Sequence, residues 1–185
     1  MSNAPNATVE RILDAAETRI KLTGYNAVSF RELADAVSVK SASVDYHFPA
    51  KADLGVALVK RYHERFFEAL AANTASATPR QKLRAFAALY REALNNNGAI
   101  CLCGMLGAES GGLPRPVVRA VRGFFEANIA WIGAVLKDGA LSDAPRDDAT
   151  LIVASLQGAL MLAASLDDLS VYDRAAKRIA RFAFA

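Results

Sequence analysis

Two cysteines and two histidines are the residues of this 185-residue chain with nucleophilic or metal-binding chemistry. Cys101-Leu-Cys103 places two thiols close together, and a thiolate whose pKa is lowered is a good nucleophile and a target for oxidants. Arg115 or Arg119 would supply the positive field that such activation needs. The plainer reading is that Cys101 and Cys103 are small buried hydrophobes. A Cys–His pair using His63 would be the route to an enzyme. His47 and His63 lie far from the cysteines in sequence, neither pair has zinc-like spacing, and nucleophile-elbow, P-loop and Rossmann glycine patterns are absent. No metal, no cofactor and no enzymatic activity are expected. The remaining chemistry is non-covalent, and its polar residues crowd into Ser29–Leu54, with Lys40, Ser41, Ala42, Ser43, Asp45, Tyr46 and His47 on the exposed side of one short helix.

The chain that must position them is helical by composition. It is 53% hydrophobic and 22% charged, rich in alanine and poor in glycine and proline. The net charge is +3 and the pI about 9.0. Residues 1–75 carry nine Lys/Arg and nine Asp/Glu, so the basic excess lies in the remainder, thirteen against ten. Overall charge is therefore no argument for nucleic acid, and only the placement of particular cations is. The N-terminus MSNAPNATVERIL lacks a basic region followed by an apolar run. The most apolar stretch, Leu151–Leu166, reads as shorter than a membrane span and contains Gln157 and two serines. A soluble, cytoplasmic protein without a membrane partner is expected.

Residues 1–7 read as a polar arm, and Thr8 as the cap of a first helix that runs to about Leu22 and stops at Gly24. Ser29-Phe30-Arg31-Glu32 is a capping box. Phe30, Leu33, Ala34 and Val37 face inward from the helix it starts, and small Ala34 permits a close crossing. Ser38-Val39-Lys40 makes a turn, Ser41–His47 a second helix anchored by Val44 and Phe48, and Pro49 ends it. Two short helices so joined are a helix-turn-helix, the unit that lays its second helix in the DNA major groove. The plain alternative is a helical hairpin in which Tyr46 and His47 only close a small core.

Residues 8–54 resemble the N-terminal domain of the TetR family of transcriptional repressors. The resemblance rests on Ile12, Ala15, Ala16, Gly24, Phe30, Leu33, Ala34, Val39, the run Ser43-Val44-Asp45-Tyr46-His47-Phe48, Lys51 and Leu54. The order of the later helices extends it along the chain. It implies that Ser29, Tyr46, His47 and Lys51 contact phosphates and that Arg31, Lys40, Ser41, Ala42 and Ser43 lie nearest the groove. Three positions depart from the family pattern. Ser38 stands where glycine is usual, Ala50 where Ser or Thr often caps, and Asp45 where an uncharged residue is usual. A carboxylate at position 45 is repelled by phosphates unless it accepts from a cytosine amino group.

Beyond the reader, helices are expected from Lys51 to about Asn73, from Pro79 to Asn95–Gly98, from Pro114 or Pro116 to Gly139, from Asp147 to Asp168, and from Ser170 onward. One or two turns are expected within Cys101–Gly112. The fold class is all-α, about nine helices, with a reader at 1–48 and a ligand-sensing and dimerisation domain at 49–185. The helix through Leu151–Leu166 is apolar nearly all round and must be covered on every side, which calls for a second subunit. Leu156, Gly158, Ala159, Leu160 and Ala163 are the expected interface, small residues allowing close approach, and the family resemblance implies a dimeric four-helix bundle there. Phe66, Phe86, Tyr90, Cys103, Phe125, Trp131 and Gln157 are the candidate lining of a cavity for a small apolar or amphipathic effector, with Tyr90 and Gln157 as its polar groups. The expected function is a homodimeric repressor of a near-palindromic double-stranded operator, released by that effector. A thiol-based regulator using Cys101 and Cys103 is the alternative, and a helical enzyme a remote one.

Overall fold

The computed structural model describes residues 4–95 and 100–182. Among them are nine α-helices, one 3-10 turn and no strand: α1 (Ala4–Thr23), α2 (Phe30–Ala36), α3 (Ser41–His47), α4 (Lys51–Thr74), α5 (Pro79–Asn95), α6 (Leu102–Ala108), the 3-10 turn Ser110–Gly112, α7 (Arg115–Asp138), α8 (Pro145–Ser165) and α9 (Leu169–Phe182). The all-α expectation holds. Three boundaries differ from those read in the sequence. Helix α1 starts at Ala4, so Thr8 lies inside it and is not its cap. Helix α8 starts two residues early because Pro145 takes the N1 position, where its missing N–H costs nothing, and Asp147 and Asp148 complement the first turn. It also ends three residues early, at Ser165, and Asp167 beyond it has φ 49°. Residues 1–3 of the expected arm and 96–98 of the expected α5 stop lie outside the described residues.

The chain forms two compact units, one of residues to Tyr62 plus Leu102–Arg122, the other of His63–Cys101 plus Gly123 onward. The chain of α4 thus runs through both. In the first unit Ile12, Ile20, Leu33, Val44, Leu54 and Leu58 are essentially inaccessible. The helix-turn-helix is built by local rules. Ser29 Oγ accepts the Glu32 N–H and Glu32 Oε2 accepts the Ser29 N–H, the reciprocal box that starts α2. Ser38, in the turn, sits at φ 55°, a left-handed conformation that glycine would adopt without a Cβ penalty. Ala34 is 1% exposed, as a small residue at the expected crossing of α2 and α3 would be.

Gly24, at φ 86°, closes α1. A Cβ there would stand 2.1 Å from Glu109 Oε1, and Glu109 Oε2 accepts the Tyr25 N–H at 2.7 Å. Across the same unit, Arg61 of α4 reaches three carboxylates of α1: Glu10 at 2.9 Å, Asp14 at 2.9 Å and Glu17 at 3.2 Å. Burial alone would lower the Arg61 pKa, but the Glu10 hydrogen bond and the Asp14 and Glu17 charges outweigh it and raise it. Glu17 is also paired with Lys21 at 2.6 Å.

The second unit is a helical bundle with an aromatic centre. Phe66 meets Phe86, Tyr90 and Phe124 edge to face at 5.5–5.6 Å, the geometry that sets positive ring edges against negative faces. Tyr90 Oη donates to Asn128 Oδ1 at 3.1 Å, and Asn128 Nδ2 donates to the Phe124 carbonyl at 2.6 Å, so this fully buried amide is satisfied. Helix α8, 21 residues, is long and apolar enough to cross a membrane by length and composition, contrary to the shorter stretch read from the sequence. One side of it is packed within the chain through Ile152, Val153, Leu156, Ala159, Leu160 and Ala163. The other side is open among the described residues, with Leu151, Met161 and Leu162 about half exposed.

Candidate nucleic-acid interface

The ten residues named for nucleic-acid contact fall into one stretch, and the structure leaves most of them uncovered. Ser29, Arg31, Lys40, Ser41, Ala42, Asp45 and Tyr46 are exposed, while Ser43, His47 and Lys51 are partly covered. The arrangement follows from helical spacing: Val44 points into the core at 0% exposure, which turns Ala42 and Asp45 outward, and Ser41 is exposed at the helix start. Tyr46, at 82% exposed, closes no core. Its ring meets that of His47 edge to face at 5.2 Å. A phenol held out in solvent costs apolar exposure in the isolated chain and is suited to a partner that offers oxygen acceptors.

Lys51 is more constrained than its neighbours. Its Nζ lies 4.6 Å from the Tyr25 ring centroid and donates to the Asn26 carbonyl at 3.3 Å. Burial lowers its pKa, against the opposing pull of Glu109 and Glu32. Ala50, lacking a capping side chain, has its N–H accepted by Asp53 Oδ2 at 3.0 Å, so the carboxylate of the first turn takes over half of the missing cap. The Glu32 carboxyl is held below its usual pKa by the Ser29 backbone and hydroxyl hydrogen bonds. Sequence reading passed over Glu109, just past α6, which holds the Tyr25 N–H just past α1, and Arg61, which ties α4 to α1. Their partners are 84 and up to 51 residues away, and no local pattern announces them.

The candidate effector residues divide between the two units. Phe66, Phe86 and Tyr90 are buried in the aromatic centre of the second unit; Trp131 stacks on Phe86 at 5.6 Å and Phe125 meets Phe124 at 5.5 Å, both half-buried. Gln157 Nε2 is buried without a hydrogen-bond partner among the described residues. Cys103, in the first unit, is 0% exposed and Cys101 is 1% exposed. His63 packs its ring on Phe67 at 4.8 Å. Of the five expected interface residues, Leu156, Ala159, Leu160 and Ala163 are buried within their own chain, and Gly158 alone lies toward the open side, where an added Cβ would meet nothing within 4 Å.

Comparisons with known proteins agree with this architecture. The family model described as "Bacterial regulatory proteins, tetR family" matches residues 12–58. The transcriptional regulator AcuR of Cereibacter sphaeroides is 32% identical over 129 residues, covering 66% of this chain and 59% of that protein, so the match spans less than two thirds of that relative's length. The crystal structure of a TetR transcriptional regulator from Legionella pneumophila is 31% identical, with TM-score 0.89 and 98% of each chain covered. A TetR-family transcriptional regulator from Agrobacterium tumefaciens is 28% identical, with TM-score 0.92, covering 98% of this chain and 100% of its own.

Proposed function

Because this chain belongs to the TetR family of bacterial regulatory proteins, we propose that it is a repressor which binds a near-palindromic operator as a homodimer and is released by a small effector. It is a transcriptional regulator, and what carries the finer reading is the uncovered polar face of α3. Seven of the ten reader residues are exposed on a helix-turn-helix fixed by its own capping box. The reader is the segment 1–48 and the remainder serves sensing and dimerisation. The second copy covers the open side of α8, from Leu151 through Ala154, Gly158, Met161 and Leu162, and sets two reading helices about one DNA turn, roughly 34–36 Å, apart.

The effector reading rests on Gln157. A buried donor without a partner costs about 1–3 kcal/mol, and an acceptor on a ligand would recover it. An effector that favours one tilt of α4 shifts operator affinity by its differential affinity for the two states, typically about 1–3 kcal/mol. Burial of Cys101 and Cys103 speaks against thiolate chemistry in the resting protein.

Fluorescence anisotropy with duplexes from the protein's own upstream region tests the operator reading. Saturable binding that weakens linearly in log–log fashion with salt is expected. Binding no tighter than to a shuffled duplex refutes it.

A further inference from the structure

The basic excess outside the reader has a location. A groove of about 720 Å³ lies between α5, α8 and α9. Its buried residues are Leu83, Ile152, Leu156 and Tyr172, and its exposed charged ones are Arg80, Arg84, Lys177 and Asp173. With half-buried Arg91, four cations face one carboxylate. Arg91 is already committed: its Nε donates to Asp173 Oδ1 at 2.6 Å and its second amino group to Oδ2 at 3.1 Å. That pairing raises the Arg91 pKa and lowers that of Asp173. Among the described residues the one acid lining the groove is thereby spent, and Arg84 and Lys177 have no carboxylate partner.

Arg80 and Arg84 are one turn apart on α5, a spacing at which like charges repel. Cations gathered beside an apolar floor are unfavourable to the free protein and complementary to a molecule bearing an anion at one end and hydrocarbon at the other. None of Phe66, Phe86, Tyr90, Phe125, Trp131 or Gln157 lines this groove. We propose that it is a binding site for a small amphipathic anion of the aliphatic carboxylate class, its chain lying over Leu83, Ile152 and Leu156 and its head held by Arg84 and Lys177. The site is distinct from the Gln157 region and goes beyond the effector reading above. A ligand there touches the two helices assigned to dimerisation and couples its occupancy to them.

Isothermal titration of the full-length protein with decanoate tests this without reference to operator binding, so failure of either reading leaves the other standing. Saturable decanoate binding is expected, with decanol and acetate each at least tenfold weaker. The Arg84→Glu and Lys177→Glu proteins, both altered at exposed positions and checked for native helicity, should lose at least tenfold in affinity. Arg84→Lys should retain most of it, and Gln157→Leu should bind as the parent does. Absence of saturable binding, equal binding of decanol, undiminished binding by both charge-reversed proteins, or loss in Gln157→Leu alone would overturn the proposal.

Discussion

Helices α3 and α8 each present a face left exposed among the described residues, and the two faces are opposite in kind. That of α3, a helix of seven residues, carries Ser41, Asp45 and Tyr46, with exposed Lys40 at its N-cap. That of α8 is twenty-one residues long and carries Leu151, Ala154, Gly158, Met161 and Leu162. A polar face costs little to leave in water, so it suits a partner that comes and goes. An apolar face of that length costs roughly 25 cal/mol for each Å² left wet, so it suits a partner that stays. The contrast is what the proposed division requires, reversible contact at one end of the chain and lasting association at the other.

The largest effect should come from violating the apolar face. Leu162→Glu places a carboxylate within the proposed contact in both copies, where burying it unpaired costs about 3 kcal/mol or more, roughly a hundredfold in dimer dissociation. Sedimentation velocity should find monomers at micromolar concentration, and operator affinity should fall with them. A dimer as tight as the parent's would transfer the interface to another surface.

The two regions also differ in what holds them. The first unit depends on Arg61 meeting three carboxylates of α1, whereas the second has Phe66, Phe86, Tyr90 and Phe124 at its centre. Arg61→Met keeps the aliphatic stem and strips the pairing, leaving Glu17, 8% exposed, without its Arg61 contact and still paired with Lys21. A loss of about 2 kcal/mol in urea unfolding is expected, less than for a fully buried pair because Glu10 and Asp14 are solvated. A loss below about 0.5 kcal/mol would show that apolar packing holds both regions alike.

These differences mark what a sequence can and cannot disclose. Helices α2 and α3 were legible because their determinants are neighbours: Ser29 caps through Glu32, Ala34 and Val44 are spaced for a crossing, and Pro49 stops the run. The Arg61 cluster was not legible, since its partners become neighbours only after α1 and α4 lie side by side. Helix α8 was legible as needing cover but not as to which side needed it. A sequence apolar all round gives no phase, and the small residues that attract attention, Ala159 and Ala163, serve the chain's own core. The start of α8 was masked for a related reason: Pro145 reads as a loop residue until its position at N1 is seen. The candidate site was legible where exposure follows from a local helix and illegible where it depends on distant packing, as for Glu109.

Returning to α3, Asp45 places an anion on the exposed face that is proposed to meet phosphates. Asp45→Asn should tighten binding to random duplex by about fivefold, near 1 kcal/mol, the size of one unscreened charge pair at a solvated surface. Anisotropy at two salt concentrations would measure it. Weaker binding to the native operator with tighter binding to random sequence would mean instead that Asp45 accepts from a cytosine amino group.

The smallest effect belongs to Ser38, and it asks whether the polar face depends on its turn for shape or only for support. At φ 55° the serine Cβ sits in a region that costs an L-residue about 1 kcal/mol, and glycine removes that strain while adding disorder to the unfolded chain. Ser38→Gly should therefore raise stability by about 0.5 kcal/mol, read as a higher urea midpoint with unchanged slope. Backbone hydrogen bonds on both sides, Ser38 N–H to the Asp35 carbonyl and Val39 N–H to the Ala34 carbonyl, already hold the turn. Duplex affinity should stay within twofold, since the direction of α3 is fixed by Val44 and Phe48 and not by the serine side chain. A glycine protein that is more stable yet binds duplex tenfold more weakly would make rigidity of that turn part of the reading surface, and would narrow the difference between a face that is merely exposed and one that is held in place.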